Sequence, residues 1–389
     1  MTEISILLGA GFSVNRGYPT AKKLNEKITS LKPEEFCVAS EGSLFFKNAG
    51  DEDPYKNSGY YIYKFFLTDL INFFSSLKPF NYEEFFDYYY QIHSGEINDD
   101  SFNNLCDAFR RKYRVSVDNS NILTQINLIY NQIIAGFLVD NEGVKFYPPV
   151  HFGKPIYPGY TGFLNCIETW GSNNIVHIHS LNHDLFLESF NSSDWLNGDL
   201  SDGFQEMGSP FFGEDQMNNK IRLRYFSEKY DTRYRLYKLH GSVDQYPFHL
   251  NGSIDSYIKT KRGITNTSFS KEIPDGEGKF KYVDDWFNYH SDFLTGVTSK
   301  TLRYNQPVYF NKVFNHFQKN LNNSSKLIVI GYGGLDIEIN NLIEKHFDSK
   351  KPVYIVEPCP HNQTEIFCKR FNAKLIRKTP DNLVLSDFN

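Results

Sequence analysis

The chain is predicted to fold as an α/β protein: a Rossmann-like, doubly wound parallel sheet that carries a large helical insertion. Three observations predict it. The apolar run Ile4-Ser5-Ile6-Leu7-Leu8 leads straight into Gly9-Ala10-Gly11-Phe12-Ser13, the buried strand and glycine turn with which doubly wound sheets open. The next such strand, Ile175-Val176-His177-Ile178-His179, comes only far along the chain. Between them the period is helical, with Ile122, Ile126, Ile129, Ile133 and Phe137 on one helix face.

Each element follows in order. Residues 1–30 and 172–389 are read as the α/β domain, and residues 31–171 as the insertion. Within the insertion, Asn81-Tyr82-Glu83-Glu84 pairs a capping residue with a glutamate three positions on, ahead of an aromatic run. A third strand is expected at Leu236-Tyr237-Lys238-Leu239. The stretch from Asp244 to about Thr301 is rich in Gly, Ser, Asp and Lys and reads as loop. The α/β pattern returns with the strand Lys326–Ile330, the turn Gly331-Tyr332-Gly333-Gly334 and a helix over Asp336–Phe347. Strands Val353–Val356 and Lys374–Ile376 close the domain.

Composition narrows the function. Hydrophobic residues make up 40% and charged residues 22%, as in ordinary folded, soluble chains. The net charge is −5 with no long basic run, so direct nucleic-acid binding is not expected. No apolar run reaches membrane-spanning length, and Met1-Thr2-Glu3 lacks the basic start of a secretion signal. The cysteines Cys37, Cys106, Cys166, Cys359 and Cys368 include no C-x-x-C pair, which argues against a structural metal and a disulfide framework. A cytoplasmic setting follows, with no metal expected.

Four segments carry chemistry, each at the end of an expected strand, where open parallel sheets bind ligands. In Gly9-Ala10-Gly11-Phe12-Ser13, followed by Gly17-Tyr18-Pro19, the glycines let backbone approach a pyrophosphate and Ser13 adds a hydroxyl. In His179-Ser180-Leu181-Asn182-His183-Asp184, Asn182 and Asp184 can enter a cleft, although Asp184 equally suits a helix cap. In Lys238-Leu239-His240-Gly241-Ser242, His240 is suited to a general base; His177, His179 and His183 read as structural. In Gly331-Tyr332-Gly333-Gly334-Leu335-Asp336, with Glu357 after the next strand, glycines and acids suit phosphate and ribose hydroxyls. Asp336, too, suits a helix cap.

The order of these segments resembles the sirtuin superfamily, whose pattern is G-A-G-x-S, T-Q-N-x-D, a catalytic H-G and a late glycine-containing ribose loop. The resemblance covers the start of the chain and residues of about 172–242 and 326–358. Leu181 stands where sirtuins carry Gln, Thr20-Ala21-Lys22 follows Pro19 in place of an aspartate-phenylalanine-arginine run, and the zinc-binding cysteine quartet is missing. These departures resemble bacterial sirtuin-like antiphage effectors that destroy NAD, some of which stand beside a HerA-type hexameric ATPase.

The resemblance implies NAD as the substrate and hydrolysis of its nicotinamide–ribose bond. Asn182 would orient the nicotinamide ribose and water, Asp184 would support that loop or touch the nicotinamide ribose, and His240 would accept a proton from a ribose hydroxyl or from water. Gly9, Ala10, Gly11, Ser13 and Pro19 would serve the pyrophosphate side, while Gly331, Gly333, Asp336 and Glu357 would face the adenosine half. An NAD-dependent protein deacylase or ADP-ribosyltransferase, and a non-catalytic sensor of an ADP-ribose-type nucleotide, are the rival expectations. The chain ends soon after its last expected strand, so regulation is expected from the insertion, a partner or self-assembly. The clusters Phe85-Phe86 and Tyr88-Tyr89-Tyr90 suggest a homo-oligomer interface, or else pack inside the insertion or against the α/β core.

Overall fold

The computed structural model describes residues 2–40, 42–93, 95–139, 153–215, 217–261, 269–276, 278–284, 291–292 and 307–389. Seven parallel strands form its central sheet: β1 (Thr2–Leu8), β2 (Asn174–Ser180), β3 (Leu200–Ser201), β4 (Tyr234–Lys238), β5 (Leu327–Ile330), β6 (Val353–Val356) and β7 (Lys374–Ile376). Their spatial order is β7-β6-β5-β1-β2-β4-β3. The chain builds outward from β1 through β2 to β4, then returns to the other flank of β1 and builds outward again. The reversal lies between β1 and β5, which pair in parallel from Ser5 beside Leu327 to Leu8 beside Ile330. A crevice opens at such a reversal, beyond the carboxyl ends of the two strands.

The helices are α1 (Ala10–Ser13), α2 (Ala21–Ser30), α3 (Tyr61–Leu77), α4 (Tyr82–His93), α5 (Asp100–Tyr113) and α6 (Asn119–Phe137). They continue with α7 (Thr161–Asn173), α8 (Phe186–Ser189), α9 (Phe310–Asn323), α10 (Ile337–His346) and α11 (Asn362–Arg370). Side chains alternate across β1, so its two faces bury different partners. Ile4, Ile6 and Leu8 pack with Phe163, Ile167 and Trp170 of α7. Leu7 packs on the other face with Phe314 and Phe317 of α9, Ile339 and Ile343 of α10, and Phe367 of α11.

A separate apolar core holds the helical layer. Phe66, Leu67, Leu70 and Phe74 of α3 meet Phe85 and Tyr89 of α4, Phe102 and Phe109 of α5, and the isoleucine stripe Ile122, Ile126, Ile129 and Ile133 of α6. Asn81 caps α4 as read from the sequence, its Oδ1 accepting from Glu83 N (2.9 Å) and Glu84 N (3.2 Å). Both expected boundaries of the insertion move. Leu24 and Ile28 of α2 belong to the helical core, whereas α7 belongs to the sheet, because each helix follows the surface its apolar stripe covers. The aromatic clusters also read differently. Phe85, Phe86 and Tyr89 are buried inside this core, and Tyr88 and Tyr90 pack against it, so they leave little surface for a partner. Among the described residues, no helix is long and apolar enough to cross a membrane.

Where it is described, the stretch expected as loop is largely sheet. One four-stranded antiparallel sheet joins Gln245–Leu250, Ser253–Lys259, Arg224–Lys229 and Gly203–Gln205; another joins Phe280–Val283, Ser270–Pro274, Phe211–Glu214 and Lys220–Arg222. The hairpin between Leu250 and Ser253 turns on Asn251 (φ 53°) and Gly252 (φ 73°), the left-handed pair that two-residue hairpins require. Other parts of that stretch lie outside the described residues.

His177 and His179 are structural, as expected. Both are buried in β2, where burial pulls the His177 imidazole down to about 4 against the opposing pull of Glu3, and pulls His179 well below its ordinary value. An unfolded chain protonates these rings near pH 6.5, while the folded chain resists. Stability is therefore full above that pH and falls as pH drops through it, toward pH 4 for His177. The urea midpoint is expected to fall between pH 7.5 and 5.5, and His179→Phe to flatten that dependence; an equal slope in both proteins would exclude His179 as its source.

Candidate active site

The crevice at the reversal is built from two glycine turns pressed together. Gly11 N donates to Gly331 O (2.9 Å), and Gly9 N donates to Ile330 O (3.0 Å). A Cβ on Gly9 would lie 2.6 Å from Gly331 O, and one on Gly331 would lie 2.2 Å from Phe12 N. Gly331 also has φ +64°, a left-handed conformation that favours glycine. These glycines thus have a packing reason of their own. The amides of Gly9 and Gly11 are committed to the fold, while Ala10 and Gly11 are exposed at the turn. Pro19 is buried behind the turn, ahead of Thr20, which caps α2.

Asn182 ties the second segment to the first. Its Nδ2 donates to Gly9 O (3.0 Å) and to Ser13 Oγ (3.1 Å), which uses both amide protons and leaves the side-chain oxygen as an acceptor. Asp184 Oδ1 accepts from Phe186 N (3.0 Å), the first residue of α8, while the N-cap position itself is Leu185 and carries no side-chain cap.

The third segment is sewn to the second. Leu239 N donates to Ser180 O (2.9 Å), and Val243 N donates to His183 O (3.0 Å). Lys238, buried at the end of β4, donates through Nζ to Asp184 O. Leu185 and Val243 enter the helical core, so the layer of α3–α6 packs directly behind both segments.

His240 Nε2 lies 3.4 Å from Asp336 Oδ2, and both side chains are nearly buried. The other oxygen of Asp336, Oδ1, caps α10 by accepting from Glu338 N (3.1 Å) and Ile339 N (3.2 Å). Tyr332 holds this loop in place: its hydroxyl accepts from Asp336 N (3.0 Å) and lies 2.9 Å from Asn340 Oδ1. The sequence places Asp336 at the adenosine half; the structure sets it against His240. Gly333 and Glu357 have His361 as a common neighbour. A Cβ on Gly333 would be 3.0 Å from His361 Nε2. Burial raises the Glu357 carboxyl, with the Cys359 amide and His361 opposing.

Sequence reasoning missed a buried ionic cluster beneath these loops. Lys259 Nζ lies 3.0 Å from Asp202, 3.4 Å from Asp244 and 3.8 Å from Glu188. Lys238 lies 3.6 Å from the same glutamate, and Arg224 Nη1 donates to Asp202 Oδ2 (3.1 Å). Burial works against the Lys259 charge, but Asp202, Asp244 and Glu188 outweigh it and hold the ammonium above its ordinary value. A lysine at the end of an otherwise apolar strand, as in Leu236-Tyr237-Lys238-Leu239, was the available signal. Among the described residues no group of three or more His, Cys, Asp or Glu side chains is arranged to hold a metal ion.

No family model and no curated protein matches this chain. Solved structures of Sir2 proteins resemble it. One, described as the structural basis for the mechanism and regulation of Sir2 enzymes, is 11% identical, covers 99% of this chain and 91% of its own, and has a TM-score of 0.36. A Sir2 homologue–NAD complex is 9% identical, with coverages of 97% and 85% and a TM-score of 0.34. A complex of a Sir2 homologue mutant with ADP-ribose is 10% identical, with coverages of 97% and 87% and a TM-score of 0.35. At these values the likeness bears on neither activity nor ligand, and the functional reading rests on the residues of the chain itself.

Gly331→Ala is expected to lower stability by about 1–3 kcal/mol, through both its strained φ and its clash with Phe12 N. Chemical denaturation without nucleotide measures it, and an unchanged midpoint would refute the packing role.

Proposed function

We propose that this protein hydrolyses NAD at its nicotinamide–ribose bond, giving nicotinamide and ADP-ribose. The observation that carries the reading is the convergence of four strand-end segments on one crevice, with the amide of Asn182 anchored on Gly9 and Ser13 and His240 set beside Asp336.

The chemistry follows from those groups. Nicotinamide leaves as a neutral ring, because its nitrogen keeps the electron pair of the broken bond, and the ribose acquires oxocarbenium character. Asn182 accepts from a ribose hydroxyl or the incoming water through its remaining oxygen. Water adds to the anomeric carbon, and its proton passes to His240. Ala10 and Gly11 offer backbone to the pyrophosphate, and Ser13 holds the turn through Asn182. Gly331, Gly333 and Glu357 border the adenosine half, while Pro19 and Asp184 brace the loops. None of these steps calls for a metal.

The wider setting rests on the sirtuin-like order of motifs. We infer a cytoplasmic NAD-depleting effector of antiphage defence, acting as a regulated homo-oligomer beside a partner of the HerA-type ATPase class. Light scattering and co-purification from the native operon address assembly and partner; the buried aromatic clusters no longer argue for an interface.

Nicotinamide release from NAD, with and without an acylated peptide, tests the reaction. The expected result, from the chain alone or with its activating partner, is release without peptide. Peptide-dependent release would mark a deacylase, and tight ADP-ribose binding with intact NAD would mark a sensor.

His240→Ala and Asn182→Ala are each expected to lower turnover on the order of a hundredfold. Asn182→Ala should also cost about 1–2 kcal/mol of stability, because it releases the Gly9–Ser13 turn. Turnover near that of the parent in His240→Ala would remove the assigned base.

A further inference from the structure

The amino-terminal half of the sheet carries a second concave site, on the face that α9 covers. A cavity of about 190 Å³ opens there between Glu3 of β1, His177 of β2, Arg235 of β4 and the later turns of α9. That is more room than a single water needs and less than the ~300–1,000 Å³ of sites for drug-sized ligands, so the cavity suits a small molecule. Glu3 precedes Gly9 by six residues of β1, so at roughly 3.3 Å per residue the cavity lies about 20 Å from the crevice.

Both carboxylates on its walls already hold partners. Glu3 Oε2 meets His177 Nε2 at 3.0 Å. The strand Arg224–Lys229 slips its pairing beside Gly203, which leaves Glu228 in the left-handed region at φ 61°. The Glu228 carboxylate then lies 3.0 Å from His316 Nε2 and 3.1 Å from Lys312 Nζ. The donors are less engaged. Arg235 gives Nε to Thr232 O (2.9 Å), one of five donors on its guanidinium. Asn320 is 4% exposed and leans toward the Tyr237 hydroxyl, yet its Nδ2 makes no hydrogen bond. A buried donor without a partner is costly, and an incoming acceptor relieves it. Lys319 stands exposed at the rim.

Charge points the same way. Burial lowers both imidazoles, His177 to about 4, so neither is charged near pH 7.5. Arg235, Lys312 and Lys319 then face Glu3 and Glu228, three cations against two carboxylates, which leaves one positive charge unmatched.

We propose that this cavity is a second ligand site, taking a small oxyanion, a phosphate or a carboxylate, on Arg235, Lys319 and the Nδ2 of Asn320. The proposal stands apart from the NAD reading and uses none of the crevice residues. One helix reaches both places. Tyr309, just ahead of α9, donates to Lys238 O (3.1 Å) at the root of the His240 segment, and Lys319 and Asn320 near its other end line the cavity. A ligand in the cavity therefore bears on the helix that braces that segment.

The test uses the full chain labelled with 15N-histidine, near pH 7.5, with ionic strength held constant by sodium chloride. Sodium phosphate is added in one arm and sodium acetate in the other, and the His316 signal is assigned by its loss in His316→Gln. That signal is expected to shift saturably with at least one of the two; a response to phosphate marks a phosphate or phosphoryl group as the ligand class, and a response to acetate marks a carboxylate. Arg235→Gln should weaken the binding by at least about tenfold, the loss of a hydrogen bond to a charged group. Lys319→Gln, at the exposed rim, should weaken it by about twofold or more, and decides alone if Arg235→Gln fails to fold. Asn182→Ala, in the crevice, should leave the titration as it is. No saturable shift in either arm, or only the linear drift of an adventitious ion, would overturn the proposal. So would an affinity unchanged in Arg235→Gln or Lys319→Gln, or one lost in Asn182→Ala.

Discussion

The site depends on one close approach of backbone to backbone. At the reversal of the sheet, Gly9 and Gly11 lie directly against Gly331, with Gly11 N bonded to Gly331 O at 2.9 Å. No side chain fits between them. This contact draws the ends of β1 and β5 together and aims the chain that leaves each strand. After β1 the chain turns into α1, where Gly9 O and Ser13 Oγ receive Asn182. After β5 it runs through Tyr332 to Asp336 and delivers a carboxylate to His240. A turn containing any larger residue would separate the two loops and leave their functional side chains in different places.

Beneath the loops, burial and charge impose a second constraint. Lys238, Lys259 and Arg224 face Glu188, Asp202 and Asp244, so cations and carboxylates match in number. Such a cluster adds little net stability, because desolvation offsets much of the attraction. Its geometric demand is strict, however, since any displaced member leaves a partner's charge uncompensated in the interior. Five places supply its members: α8, the end of β4, the residues after His240, Asp202 in the link after β3, and the antiparallel sheet beside them. The cluster therefore fixes the Asn182 and His240 segments relative to each other. Leu185 and Val243 extend the same segments into the helical core, so packing in α3–α6 bears on the site without touching a ligand.

The parts legible in the sequence are those whose physics is local. Strands buried on both faces read as apolar runs, so β1, β2, β5 and β6 were plain from residues such as Leu327–Ile330 and Val353–Val356. The four strand-end segments were legible for the same reason. The antiparallel sheets were not, because strands such as Ser253–Lys259 expose part of their length and mix polar with apolar residues. The Asn251-Gly252 pair was the overlooked sign of a hairpin. The insertion boundaries failed because the stripes of α2 and α7 do not declare which core they cover. Phe85 and Tyr89 looked like surplus aromatics only while α3, α5 and α6 were absent from the count of surfaces able to bury them. The meeting of His240 and Asp336 joins segments far apart in the chain, and nothing local encodes it.

For both acidic residues the sequence posed a choice between capping a helix and serving a site. At Asp336 the structure shows the cap, with the second oxygen 3.4 Å from His240 Nε2, and at Asp184 a carboxylate bonded to the Phe186 amide. Capping uses one carboxylate oxygen at Asp336 and immobilises the group, so the second oxygen is presented at a fixed position with little freedom to lose. At Asp184 the carboxylate holds the Phe186 amide while the main-chain oxygen takes the Lys238 ammonium, so the residue joins the loop to the ionic cluster. In each case the structural role is what makes the positional role precise. Charge developing on a base is stabilised best by a group that does not reorganise when the charge appears, and a carboxylate held by two backbone amides meets that condition.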